Sequence, residues 1–374
     1  MNDFLSFGGF LCLLLLFSNS KTKVDDGVCP SCDILKLKKT TEDTEPIESV
    51  DNEVLMDNFF SKTKKYSSKV FKIRPKQGKS WNVYPGMKNN KADIHIMNHT
   101  FTHLFSKQRN YFFDLKHKEK IRSAILQLFQ TFGFKVEVQK FTAHSRIQRR
   151  GRLTEIEGRN LIGILQSDTY GKVGDRIIVV GAHYDTVYVN PGIEDNGSGS
   201  VLVLETARLL SQYAGRLNAS IYFILFDQEE SGLEGSLAFV REYFVPKIIE
   251  KQKAEYVGAF ITDMCLTYDP EPNSQQIPRD FPTMVPEAAD WISNNSFRGD
   301  FISIWARNAD SFLGYAFQDA WNTLEPTQEY KLLLVRPPIE ANAYNVPREH
   351  FFSMFYRSDH ASFWSSALHN NETE

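Results

Sequence analysis

The side chains in this sequence that could do chemistry stand where apolar runs end. Residues 177–181, Ile-Ile-Val-Val-Gly, read as a buried strand, and His183 and Asp185 follow it at once. Asp195 comes next, in a Gly/Ser-rich turn ahead of a helical stretch over residues 201–210. A second apolar, β-prone run at 221–226 leads into Asp227, Gln228, Glu229 and Glu230, and a third at 257–262 leads into Asp263. Near the end, Ser358-Asp359-His360 supplies another imidazole. Ligands carried just beyond the carboxyl ends of strands are how open α/β sheets build sites. His, Asp, Glu, Asp and His form a donor set suited to two divalent ions with one carboxylate shared, and imidazole combined with carboxylate favours zinc.

Peptide hydrolysis at neutral pH needs a strong nucleophile and stabilisation of a tetrahedral oxyanion. Two divalent ions ~3.5–4 Å apart supply both. A carboxylate outside the metal shell must then take a proton from water and hand it to the leaving amine. The adjacent pair Glu229 and Glu230 suits that division, one facing a metal and the other the substrate. Asp185 is placed to hold the second nitrogen of His183. Each residue also has a plain structural reading: Asp195 as a helix cap, Asp263 as a strand-end turn residue, the glutamate pair as solvated surface. Ser358-Asp359-His360 suggests a serine hydrolase, but no Ser sits in a Gly-x-Ser-x-Gly turn. The ordered set carries the metal reading.

Taken together, these motifs resemble the M28 family of zinc peptidases, which includes aminopeptidases and glutamate carboxypeptidases, over roughly residues 108–363. The resemblance implies an α/β fold in which a mostly parallel mixed central sheet is flanked by helices on both faces. It also implies roles: His183 and Asp263 on one zinc, Glu230 and His360 on the other, Asp195 bridging, Glu229 as general base and Asp185 orienting His183. Family members continue with a further strand and helix after the late His, so this sequence is expected to lack that last layer. Three other functions stay open. A glutaminyl cyclase would use one zinc for acyl transfer, although Ser-Gly-Leu-Glu-Gly-Ser after Glu230 looks like the peptidases. A non-catalytic scaffold is the second. A carboxypeptidase, needing a cation from among Arg298, Arg307 and Arg336, is the third.

The elements that position these residues follow from periodicity. Ile94, Met97, Phe101 and Leu104 form a helical stripe, and residues 118–134 form a second helix stopped at Gly133. Residues 134–141 alternate as a half-buried strand, and 160–165 form the next. A helical stretch is expected over 237–244, with Gly232 and Gly235 letting backbone pass close to the metals. The aromatic-rich part, 268–356, would build a substrate pocket, with a strand at 332–335.

At 374 residues, the chain allows one large domain with additions, or two domains. Its formal net charge of -3 gives no reason to expect nucleic acid or an anionic membrane as partner; peptides as substrates are what the resemblance implies. Residues 1–20 read as a secretory signal cut near Ser20, although Asp3 replaces the usual basic start. Residues 21–91, lysine-rich and without periodicity, read as a propeptide or arm, and 92–374 as the peptidase domain. The expected location is therefore secreted or luminal. There Cys29 and Cys32 would pair as a disulfide, Cys265 would be a small buried hydrophobe, and Asn98, Asn218, Asn294 and Asn371 would accept glycans. The basic run 146–152 reads as a solvated loop.

Overall fold

The computed structural model describes residues 92–146, 153–323, 331–339 and 353–365. The signal, the arm with Cys29 and Cys32, most of the basic run and Asn371 lie outside these residues.

Helix α1 (Ile94–Thr100) is capped by the Asp93 carboxylate and runs on as a wider turn over Phe101–Phe105. The expected second helix is α2 (Leu115–Thr131). It stops as its sequence implies: Gly133 takes φ 80°, and Phe134 N–H donates to Phe129 O at 3.1 Å. Strands β1 (Lys135–Arg146) and β2 (Leu153–Leu165) form an antiparallel pair, both longer than the alternation suggests. Then come β3 (Arg176–His183), α3 (Gly199–Leu210), β4 (Ser220–Phe226) and α4 (Glu234–Ala238), which continues as a looser turn over Phe239–Lys251. Strand β5 (Glu255–Ile261) completes a five-stranded sheet of order β1-β2-β4-β3-β5. Its β3–β4 and β3–β5 ladders are parallel, and β2 runs against its neighbours.

Alternation along the central strands explains the layering. Ile178, Val180, Ile221, Phe223 and Leu225 face a core closed by α2 and α3. Val179, Tyr222, Ile224 and Phe226 face the opposite core, closed by Phe239, Val240, Phe244 and Phe363. A strand covered on both faces reads as a continuous apolar run. That is why β3 and β4 were legible.

Beyond β5 lie α5 (Phe281–Met284), α6 (Pro286–Asn294), β6 (Phe301–Trp305), α7 (Ser311–Asn322), β7 (Lys331–Val335) and α8 (His360–Trp364). Strands β6 and β7 pair in parallel as a separate two-stranded sheet. The aromatic-rich part expected to line a pocket mostly packs a third core around Phe281, Met284, Leu333, Phe355 and Trp364. Among the described residues no helix is long and apolar enough to cross a membrane.

One feature of α2 departs from its pattern. Lys118 and Arg122, of residue types that are mostly exposed, are 0% and 3% exposed. They lie on the stripe of Ile121 and Ile125, and both meet the buried Asp227 carboxylate at the end of β4. Lys118 Nζ is 2.6 Å from Asp227 Oδ1, and Arg122 donates to Asp227 Oδ2 and, at 2.7 Å, to the Tyr184 hydroxyl. Burial pushes the Asp227 pKa up, but the two cations outweigh it and hold it down at about 2. A carboxyl pKa below its unfolded value of ~3.9 adds stability above about pH 4. That stability is lost as the pH falls toward 2. Asp227→Asn leaves two buried cations without their counter-charge and should destabilise by roughly 3–5 kcal/mol. Denaturant titrations of both proteins at pH 7 and pH 3 check this: the gap should narrow at the lower pH.

Candidate metal centre

His183 is the last residue of β3, fully buried, and its carbonyl accepts from Ser200 Oγ of α3 at 2.8 Å. Its two ring nitrogens face different carboxylates. Nδ1 lies 3.4 Å from Asp185 Oδ1. Nε2 lies 3.1 Å from Asp195 Oδ1, 3.7 Å from Asp263 Oδ1 and 3.9 Å from Glu229 Oε2. His183, Asp195 and Asp263 each offer a ligand atom within 4.8 Å of the others. Both His183 nitrogens and Asp263 Oδ1 are buried without a hydrogen-bond partner of good geometry. Orphaned imidazole and carboxylate atoms converging on one point fit a divalent cation of the zinc type.

The loops carrying these residues are tied together by polar contacts. Asp185, 2% exposed, accepts from the Glu229 N–H at 3.0 Å and the Glu230 N–H at 3.3 Å, joining the ends of β3 and β4. Asn196 donates to Thr262 O at 2.9 Å. The Glu194 carboxylate accepts from the N–H groups of Leu266 and Thr267 at 3.0 Å, so the Asp195 loop is clamped to the Asp263 loop. Asp263 Oδ2 accepts from Ser358 Oγ at 2.6 Å.

Glu230 and His360 are not drawn into the three-residue group. Glu230 Oε1 accepts from Val187 N–H at 3.2 Å, and His360 Nε2 sits 2.8 Å from Phe355 O with its ring edge-on to Trp364. That contact leaves Nδ1 as the His360 nitrogen with a free lone pair, a common arrangement for a ligating imidazole. Gly232, at φ 113°, has open space around it, while a side chain on Gly235 would strike Asp227 O at 2.1 Å. Gly235 therefore serves packing on the β4 end, not an approach to metal as its sequence position suggested. The cations considered for a carboxypeptidase have partners of their own: Arg307 pairs with Asp310 at 2.6 Å and donates to Trp364 O at 3.2 Å, which brings it near His360, Arg298 donates to Pro270 O, and Arg336 to the Tyr315 hydroxyl. Cys265 is a free thiol, partly buried against the core.

Electrostatics set this centre apart. From the protein's own groups alone, burial pushes the Glu229 carboxyl up to about 9, with Asp359, Asp185 and Asp263 adding to the rise. Burial, then Asp185 and Asp195, lifts Glu230 to about 7. Burial also lifts Asp359 to about 7. Burial opposes a charge on His183, but Asp185, Asp195 and Asp263 outweigh it and raise that imidazole well above its ordinary range. Asp359 had no assigned role. It is fully buried, and neither of its oxygens has a hydrogen-bond partner of good geometry. Its place next to His360 in the sequence was the only signal for it.

Residues 160–295 match the model of Peptidase family M28. Leucine aminopeptidase 2 of Trichophyton rubrum is 39% identical over 74 residues, 20% of this chain and 14% of that protein. Aminopeptidase YwaD of Bacillus subtilis (strain 168) is 38% identical over 111 residues, 30% of this chain and 22% of that protein. The matched stretches thus span less than a quarter of these relatives' lengths. Among solved structures, the LapA aminopeptidase of Legionella pneumophila aligns with TM-score 0.45 at 17% identity, covering 78% of this chain and 64% of that one. A Fimbriiglobus ruber glutaminyl cyclase aligns with TM-score 0.40 at 17% identity, covering 77% and 93%.

Asp185→Asn keeps the shape but removes the charge facing His183 Nδ1. It should weaken zinc binding by about 10–100-fold, read by competition with a chromogenic chelator.

Proposed function

We propose that the protein is a secreted zinc metallopeptidase that removes residues from the free amino ends of peptides. The observation supporting this most strongly is the convergence of His183 Nε2 with carboxylates of Asp195 and Asp263, with Glu229 Oε2 3.9 Å from the same nitrogen but outside the three-residue group. In this reading His183 and Asp263 hold one zinc, Asp195 is shared, and Glu230 and His360 hold the second. Bound zinc supplies a Lewis acid for the scissile carbonyl and a nucleophilic water at neutral pH.

The remaining chemistry falls to the chain. Glu229, with Oε2 3.9 Å from His183 Nε2, takes a proton at its carboxylate and passes it to the departing amine. Asp185 holds Nδ1 of His183 so that Nε2 faces the centre. The surplus of carboxylates suits a substrate entering with a positive α-ammonium. Arg307, the candidate cation near His360, is already paired with Asp310 at 2.6 Å, which disfavours a substrate presenting a carboxylate. One observation favours a second reading: the described residues gather one three-ligand group, which suits the single-zinc glutaminyl cyclase.

Elemental analysis paired with an aminoacyl-amide panel, with and without chelator, separates the readings. The peptidase reading predicts two zinc ions and chelator-sensitive release of amino acids. One zinc with cyclisation of amino-terminal Gln supports the cyclase, and zinc-loaded but inert protein supports the scaffold. Glu229→Gln should lower kcat by about 10²–10⁴-fold with zinc content unchanged; loss of zinc from this variant contradicts its role as base.

A further inference from the structure

Arg109 has no part in the chemistry above, yet it is one of the largest fully buried side chains in the protein. It lies between α1 and α2 and makes no ion pair among the described residues. Its donors go to backbone carbonyls instead: Nε to Tyr184 O at 2.7 Å, Nη1 to Phe105 O at 3.0 Å, Lys107 O at 2.7 Å and Pro191 O at 2.9 Å, and Nη2 to Gly192 O at 2.8 Å. Its own N–H donates to Thr186 Oγ1 at 3.0 Å, and Asn110 Nδ2 donates to Thr186 O at 2.7 Å.

Tyr184, Thr186, Pro191 and Gly192 sit at both ends of one loop, while Phe105 and Lys107 belong to the segment that carries Arg109 itself. Tyr184 and Thr186 flank Asp185, and Pro191 and Gly192 precede Asp195. One guanidinium thus spans the loop that begins at His183 and ends at Asp195. The packing leaves little slack: Gly192 takes φ 63°, and a Cβ there would lie 2.3 Å from Thr186 Cγ2, 2.5 Å from Asp195 O and 3.0 Å from Arg109 Nη2. Burying an unpaired cation is costly. Here Asp185 and Asp195 attract it from a distance, although burial still pulls its pKa down to about 9.

We propose that Arg109 is a positioning residue for the metal centre, setting the spacing between His183 and Asp195 by bracing both ends of the loop between them. The inference rests on the reading of His183, Asp195 and Asp263 as metal ligands. A planar fork of five N–H donors can hold carbonyls in several directions at fixed angles. A lysine ammonium keeps the charge but has three donors on a flexible stem, so it cannot hold both ends of the loop in one geometry.

The test is the zinc dissociation constant of the full chain, by chelator competition well below each protein's thermal midpoint, with that midpoint measured alongside. Arg109→Lys keeps every proposed ligand and should loosen zinc by about 10–100-fold, as for other changes to groups that orient ligands. A folded Arg109→Lys protein with a lowered midpoint but native zinc affinity overturns the positioning role. Should that variant not fold, Thr186→Val decides: it removes only the hydroxyl that accepts the Arg109 N–H. A loosening of about fivefold, near the worth of one hydrogen bond, supports the role; unchanged affinity overturns it. Native protein that binds no zinc overturns the ligand reading itself and this inference with it, whereas tight native binding with unaltered variants overturns the inference alone.

Discussion

The structure depends on holding like charges together. Around one buried imidazole stand Asp185, Asp195, Glu229, Glu230, Asp263 and Asp359, and burial first, with the neighbouring carboxylates adding to it, raises the hold of Glu229, Glu230 and Asp359 on their protons. Carboxylates at such spacing repel, and burial removes the water that would screen them. A divalent cation among them turns that repulsion into attraction. Everything else in the centre reads as scaffolding that stops these side chains from turning away.

The scaffold works by placing strand ends side by side. Strands β3, β4 and β5 run parallel in adjacent rows, so His183, the 227–230 turn and Asp263 come out on one edge without long loops. Burial on both faces fixes those strands. Short polar ties then set the loops: Asp185 across to the Glu229 and Glu230 amides, Glu194 to Leu266 and Thr267, Asn196 to Thr262. On the outer side, Asp227 draws Lys118 and Arg122 of α2 against the end of β4. The charge below the sheet edge is thereby balanced, while the charge at the centre is not.

This division also explains what could be read from residues alone. His183, Asp185, the glutamate pair and Asp263 could be picked out because each follows an apolar run of strand length, and Asp195 because it sits in a Gly/Ser-rich turn ahead of a helix, both local patterns. Strand ends carrying ligands pointed to an open α/β sheet, and the family resemblance implied its mostly parallel mixed order. Lys118 and Arg122 were not legible. On a helix such residues normally face solvent, and their partner Asp227 is more than a hundred positions away. Arg109 gave no signal because its partners are backbone carbonyls, which leave no trace in side-chain spacing. The β1–β2 pair ran longer than expected, since backbone pairing continued through polar residues such as Thr142, Glu155 and Glu157. His360 was assigned by order along the chain, and order does not reveal that its ring turns to Phe355 O.

The most direct measurement is anomalous X-ray scattering at the zinc edge from crystals of the zinc-loaded protein. The account predicts a strong peak about 2.0–2.2 Å from His183 Nε2 and from carboxylate oxygens of Asp195 and Asp263. A well-diffracting, zinc-soaked crystal with no peak among these three residues, or with zinc bound only elsewhere, would contradict it.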